Sequence, residues 1–252
     1  MTKTRNVEEY VRRIETIPGW FYSDDVALFR KLNELQQDSG LTGDLLEIGV
    51  FEGKSAILLG YFLAQGERLV LCDNFQQGEG VRERLETRWR AYHDQLPEIL
   101  MHSSTRLDAE KLGKTFRLIH IDGSHDYAMV KSDIQLARET IKDGGIIIFD
   151  DYMHTGFPGV AAAVWEEITS GGLTPFVLTQ MKLYASYQHP AWFGQLLEWC
   201  YYEAWDHRFA RTEVDILLRR QPAIKVTCGN VPPPPADLPR RLYAKLKSFF
   251  KT

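Results

Sequence analysis

The sequence predicts an α/β fold built on a mostly parallel sheet. Three observations carry this. Between about Asp44 and Gln180 short β-branched apolar runs alternate with longer amphipathic stretches, the pattern of strands joined by crossover helices. Three of the runs end on acidic residues, Asp73, Asp122 and Asp150. A glycine-containing turn, Gly49 to Gly53, follows the first run, where a strand hands over to a helix.

In chain order, residues 1–43 read as a helical cap interrupted at Pro18-Gly19, with Trp20, Phe21 and Tyr22 after the break. Strands are expected at Leu45–Val50, Arg68–Asp73, Glu98–His102, Arg117–Asp122, Gly145–Asp150 and Pro175–Thr179, with helices in the intervals. Residues 181–210 are dense in aromatics, among them Tyr184, Tyr187, Trp192, Phe193 and Trp199, and read as an insertion in a domain spanning 44–220. Either this segment or Trp20–Tyr22 can wall a substrate pocket, and packing against the sheet competes for every such aromatic. Glu213–Arg219 resembles a last strand. Residues 221–252 hold a stiff Pro232–Pro235 connector and a basic amphipathic tail, Arg240, Arg241, Lys245, Lys247 and Lys251 interleaved with Leu242, Leu246, Phe249 and Phe250.

Composition narrows the function. The 252 residues are 44% hydrophobic and 25% charged, an ordinary globular balance. Thirty Lys+Arg against 34 Asp+Glu give a net charge of −4, which offers no general attraction to nucleic acid. No apolar run reaches the roughly 18 residues of a transmembrane helix, and the charged N-terminus is unlike a secretory signal, so a cytoplasmic protein is expected. Cys72, Cys200 and Cys228 lack C-x-x-C spacing and suggest neither a zinc cluster nor a disulfide framework. The amphipathic N-terminal and tail segments are compatible with burial in a homo-oligomer.

The turn Glu47-Ile-Gly49-Val-Phe-Glu-Gly53-Lys-Ser55 implies a nucleotide-like ligand at a helix N-terminus. A nicotinamide fingerprint needs a glycine where Phe51 stands. A P-loop is the closer rival, because Gly53-Lys54-Ser55 resembles its end, but only three residues separate Gly49 from Gly53 where four are required. Glu-x-Gly-x-x-x-Gly-x-Ser, with Asp73 ending the second strand 20 residues after Gly53, resembles the cofactor site of class I S-adenosylmethionine (SAM)-dependent methyltransferases. A Rossmann-like, seven-stranded sheet with helices on both faces is what that resemblance implies. It also implies Glu47 in the network around the methionine part, Gly49 and Gly53 in close approach, Ser55 reaching the carboxylate, and Ser103 and Ser104 beside the adenine. For Asp73 the acid's spacing suits hydrogen bonds from ribose hydroxyls, with a turn or cap role as the competing reading.

Ile121-Asp122-Gly-Ser-His125-Asp126-Tyr127 and Gly144-Gly145-Ile-Ile-Ile-Phe-Asp150-Asp151-Tyr152, followed by Phe157-Pro-Gly-Val160, resemble metal-dependent O-methyltransferases related to macrolide-sugar O-methyltransferases. The resemblance covers residues 44–170. It implies Asp122, Asp150 and Asp151 as ligands of Mg²⁺, a hard cation suited to oxygen donors, and a hydroxyl acceptor that is a saccharide or glycosylated small molecule. His125, three residues after Asp122, stands where the related catechol O-methyltransferase pattern carries a catalytic lysine, and is the expected base, with His154 in reserve. Asp126 reads as a helix cap. A non-catalytic module working through its basic tail is the remaining alternative.

Overall fold

A computed structural model describes residues 6–202, 209–216 and 219–226. The N-terminal segment forms helix α1 (Val7–Arg13), a break through Pro18 and Gly19, and helix α2 (Ser23–Asp38). There follow β1 (Asp44–Ile48), α3 (Lys54–Gly60), β2 (Leu69–Cys72), α4 (Val81–Trp89), β3 (Glu98–Leu100), α5 (Ala109–Leu112), β4 (Phe116–Ile121), α6 (Tyr127–Thr140), β5 (Ile141–Phe149), α7 (Pro158–Glu166), β6 (Thr174–Leu178), β7 (Leu183–Ser186), α8 (Phe193–Tyr202), β8 (Phe209–Ile216) and β9 (Arg219–Val226).

The sheet order is β3-β2-β1-β4-β5-β7-β6-β9-β8. β1 to β5 are mutually parallel, and β7 returns antiparallel between β5 and β6. The expected seven strands form the first seven places, and a hairpin, β8 antiparallel to β9, extends the edge beyond β6. All six strands named from sequence are present within a few residues. β7 lies inside the segment expected as an insertion, so that segment is partly sheet. The expected strand at 213–219 is two, one ending at Ile216 and one starting at Arg219, and β9 continues past 221 where a connector was expected to begin. The Pro232–Pro235 run and the basic tail lie outside the described residues.

Strand alternation sorts the core into two layers. Leu45, Leu118, Ile146, Ile148 and Tyr184 face α2, α3 and α8, whereas Leu46, Ile48, Ile119, Ile147, Phe149 and Leu183 face α6 and α7. Even-numbered His120 and odd-numbered Glu47 share the first face with their strand neighbours Leu118 and Leu45, which is how polar groups come to lie under the N-terminal helices. Ile48 of β1 is level with Cys72 of β2 and Ile121 of β4, and Ile121 is level with Phe149 of β5. The residues that follow these ends, Gly49, Asp73, Asp122 and Asp150, therefore arrive together along one edge, at the point where the strand order reverses.

Candidate active site

The turn after β1 is built on two demanding backbone positions. Gly49 has φ 81°, and a Cβ there would sit 1.9 Å from the Asp122 carbonyl oxygen, so only glycine lets β1 and β4 close together. Phe51 is in the left-handed region at φ 50° without being glycine, a strained state that needs external support. Asp73 supplies it. Its Oδ2 accepts from the Val50 and Phe51 amides at 2.7 and 2.9 Å, and its Oδ1 from the Phe75 amide at 2.6 Å and Gln77 Nε2 at 3.3 Å. The acid expected at the ribose is thus first a turn-holding residue, with both oxygens engaged inside the protein. Gly53, at φ 84°, begins α3.

Ser55 and Glu47 do not face open space. The Ser55 hydroxyl donates to Glu47 Oε1, which also pairs with His120 Nδ1 at 2.7 Å. Glu47 is fully buried, and its Oε2 has no hydrogen-bond partner. Lys54 Nζ reaches the Gly19 carbonyl at 3.2 Å and Glu15 at 3.6 Å. A P-loop would aim this lysine at a phosphate; here it ties the N-terminal cap to the turn.

Sequence reasoning missed the centre of the polar network. Lys182, just ahead of β7, is buried with its ammonium donating to Asp150 Oδ2 and 3.4 Å from His120 Nε2. An ammonium on one ring nitrogen and a carboxylate on the other fit the Nδ1–H tautomer of His120. Tyr184 donates to the buried Asp25 at 2.6 Å, joining α2 to the same network. Burial disfavours the charged lysine, yet Asp150, Asp25 and Asp122 raise its pKa well above the usual lysine range. Burial likewise opposes ionisation of Asp150, but Lys182 and then His120 hold its carboxyl below the ordinary value. Asp122 has no such partner: burial and the charge of Asp150 push it well up.

The three expected metal ligands line one cavity of about 760 Å³, together with His125, His154 and Phe157. They fall into two groups that share Asp122: one with His120 and Asp150, the other with His125 and Asp151, the ligand atoms of each within 4.8 Å. Asp150 Oδ1 accepts the Asp151 amide at 2.8 Å while Oδ2 faces Lys182. Asp151 has φ 56°, and this left-handed turn brings its carboxylate within 2.8 Å of His125 Nε2. The donor set fits a hard divalent cation. Asp122 and Asp151 offer the least encumbered oxygens, and the raised Asp122 records an excess of negative charge that a cation would relieve.

The His125 ring stacks on Phe157 at 3.8 Å with a 9° tilt, and His154 also stacks on Phe157 at 4.3 Å. His154 Nδ1 accepts the Gly156 amide at 3.1 Å, which leaves His125 the better placed base. Asp126 caps α6 by accepting from the Ala128 amide, as expected.

A second cavity of about 330 Å³ adjoins the first, sharing Gly49, Gln77 and Gly123, and is lined by Cys72, Asp73, Ser103 and Ser104. The aromatic wall of the larger cavity comes from Trp20, Tyr22, Phe51 and Phe157. Residues 181–210 supply only Met181 to that wall. Trp192 and Phe193 are buried in the core, where Phe176 packs against both, and Tyr187 donates to Glu167. Among the described residues no helix is long and apolar enough to cross a membrane.

Comparison with known proteins agrees with this architecture. Residues 46–152 match the family described as a methyltransferase domain. No curated protein matches the sequence. Among solved structures, the O-methyltransferase NovP superposes with a TM-score of 0.57 at 19% identity, over 66% of this chain and 80% of NovP. CalS11, a TDP-rhamnose 3′-O-methyltransferase of calicheamicin biosynthesis, gives 0.55 at 16% identity, over 73% and 96%. TomG, an O-methyltransferase of tomaymycin synthesis from Streptomyces achromogenes solved with SAM, gives 0.51 at 16% identity, over 75% and 93%. The chain carries a methyltransferase domain with the class I, SAM-dependent methyltransferase fold that it shares with these O-methyltransferases.

Proposed function

We propose that the protein transfers a methyl group from SAM to a hydroxyl of a sugar or glycosylated small molecule with the help of Mg²⁺ or another hard divalent cation. The observation that carries this reading is the meeting, at one strand edge, of two adjoining cavities with a carboxylate cluster and a histidine between them. The smaller cavity, with Asp73, Ser103 and Ser104, suits a nucleoside, and the Gly49–Gly53 turn suits close approach of the methionine part. Solved relatives that carry SAM in one case and act on a TDP-sugar in another support both halves.

Methyl transfer is an in-line displacement, and an aliphatic hydroxyl is a weak nucleophile until it loses its proton. Asp122 and Asp151, with Asp150 beside them, would hold the cation, which supplies a lowered hydroxyl pKa and a fixed oxygen position. His125 takes the proton. Asp151 and the Phe157 face fix its ring, so the imidazole is oriented before the acceptor arrives. Lys182 keeps Asp150 ionised and in place from behind, and Phe157 and Trp20 exclude water from the cavity walls. The test is transfer of labelled methyl from SAM to a panel of glycosides, with and without chelator. Transfer that stops in chelator and returns with Mg²⁺ is expected. Full transfer in chelator overturns the metal role, and absence of any SAM-dependent transfer overturns the reading as a whole.

A further inference from the structure

The larger cavity is chemically divided. One end carries Asp122, Asp150 and Asp151, and the mouth carries Trp20 and Tyr22, which expose 76% and 41% of their surface. Large aromatics so exposed need a reason, and these two are held in place rather than loose. The Trp20 ring lies 6.0 Å from Phe51 at a 31° tilt, and Lys54 anchors the preceding Gly19 carbonyl. Tyr22 leads directly into α2, whose Phe29 and neighbour Phe21 are packed in the core. The platform is therefore rigid and already aimed at the cavity, which lowers the entropic cost of stacking a flat apolar group on it.

Charge sets the complementary limit. Every ionisable side chain among the described residues lining this cavity is an aspartate, a histidine or Tyr22. A divalent cation would offset two of the three carboxylate charges and leave the end net negative, so a diphosphate near it meets repulsion rather than a cationic clamp. Lys182 is no remedy, because it is buried and committed to Asp150.

Building on the methyl-transfer reading, we propose that the acceptor is an uncharged glycoside whose flat apolar aglycone rests on Trp20 and Tyr22 while a sugar hydroxyl reaches the carboxylate end, and that nucleoside-diphosphate sugars are rejected. Specificity then lies in the N-terminal segment and not in the aromatic run after β6.

The test is calorimetry on the full chain saturated with S-adenosylhomocysteine (SAH) and Mg²⁺. The probes are phenyl and methyl α-L-rhamnosides, phenyl and methyl β-D-glucosides, dTDP-rhamnose and dTDP-glucose. At least one phenyl glycoside is expected to bind tenfold or more tightly than its methyl counterpart and than either dTDP-sugar. Trp20→Ala should erase the phenyl advantage while SAH affinity stays within about threefold. Trp20 is mostly exposed, so the fold should survive, and an unchanged melting temperature verifies this. Tyr22→Ala provides a second variant. The proposal is overturned if a dTDP-sugar binds as tightly as the phenyl glycosides, if no phenyl glycoside binds, or if the phenyl advantage persists in both variants. Failure of SAH itself to bind would instead overturn the methyl-transfer reading on which the proposal rests.

Discussion

Asp73→Asn tests how the cofactor turn is held. The wild-type carboxylate accepts four hydrogen bonds, two per oxygen, and a carboxamide can accept only through one of its two atoms. Whichever way the new side chain turns, one pair of donors faces an NH₂ group. If the pair is Val50 and Phe51, the left-handed Phe51 also loses the contact that sustains its strain. Hydrogen bonds to a charged acceptor contribute about 1.5–3 kcal/mol each, so losing two costs at least about 3 kcal/mol. For a chain of this size each kcal/mol moves the melting temperature by about 2–4 °C, which places the expected fall at about 6–12 °C. Calorimetry with SAH should show affinity reduced by about tenfold or more, because the displaced turn is the one the ligand must approach. A melting shift under 2 °C together with unchanged SAH affinity would refute the view that Asp73 shapes the turn.

Three further outcomes are expected. Asp133 is buried on α6 with neither oxygen forming a well-aligned hydrogen bond, and burial pushes its carboxyl up to about 6, with the nearby Ser104 hydroxyl offsetting part of the shift. A raised folded pKa means that the folded state holds the proton more tightly, so stability is fullest below about pH 4 and declines as pH rises through 6, by about 3 kcal/mol at 1.36 kcal/mol per unit. Asp133→Asn should therefore gain on wild type in melts at pH 8 and show no gain at pH 4; a gap independent of pH contradicts this. Lys182→Met removes the only cation seated on Asp150 in this buried network and should lower stability by about 3–5 kcal/mol in chemical denaturation, with a loss under 1 kcal/mol contradicting the network. His125→Ala should reduce turnover by about 10²–10⁴-fold with SAH affinity within threefold, and near-normal turnover would move the base elsewhere.

The sheet was legible because its strands are apolar runs separated by turn-forming residues, and the edge of acids was legible because three strands end on them. β7 was not. Leu183–Ser186 is four residues long and buried on both faces, so no alternation marks it, and it runs against its neighbours. Lys182 was invisible for the same reason: a lone lysine reads as surface until the pairing of Leu183 with Phe149 places it beside Asp150. Aromatic density pointed equally to residues 20–22 and 181–210, and only the docking of α8 against the core separates them, burying Phe193 while Trp20 remains at the cavity mouth. The spacing of Asp73 placed it correctly at the strand end without revealing that its oxygens are held by the turn. Adjacent Asp150 and Asp151 point oppositely in a strand, and the left-handed turn at Asp151 that lets both line one cavity has no signature in sequence.

The central claim is that one divalent cation sits at the carboxylate end of the larger cavity, next to the methyl donor. The most direct measurement is an anomalous difference map from crystals grown with SAH and Mn²⁺. A single manganese peak bonded to Asp122 and Asp151, in the cavity adjoining the bound SAH, is the predicted result. SAH bound with no manganese at that end, or manganese bound only elsewhere on the protein, would contradict it.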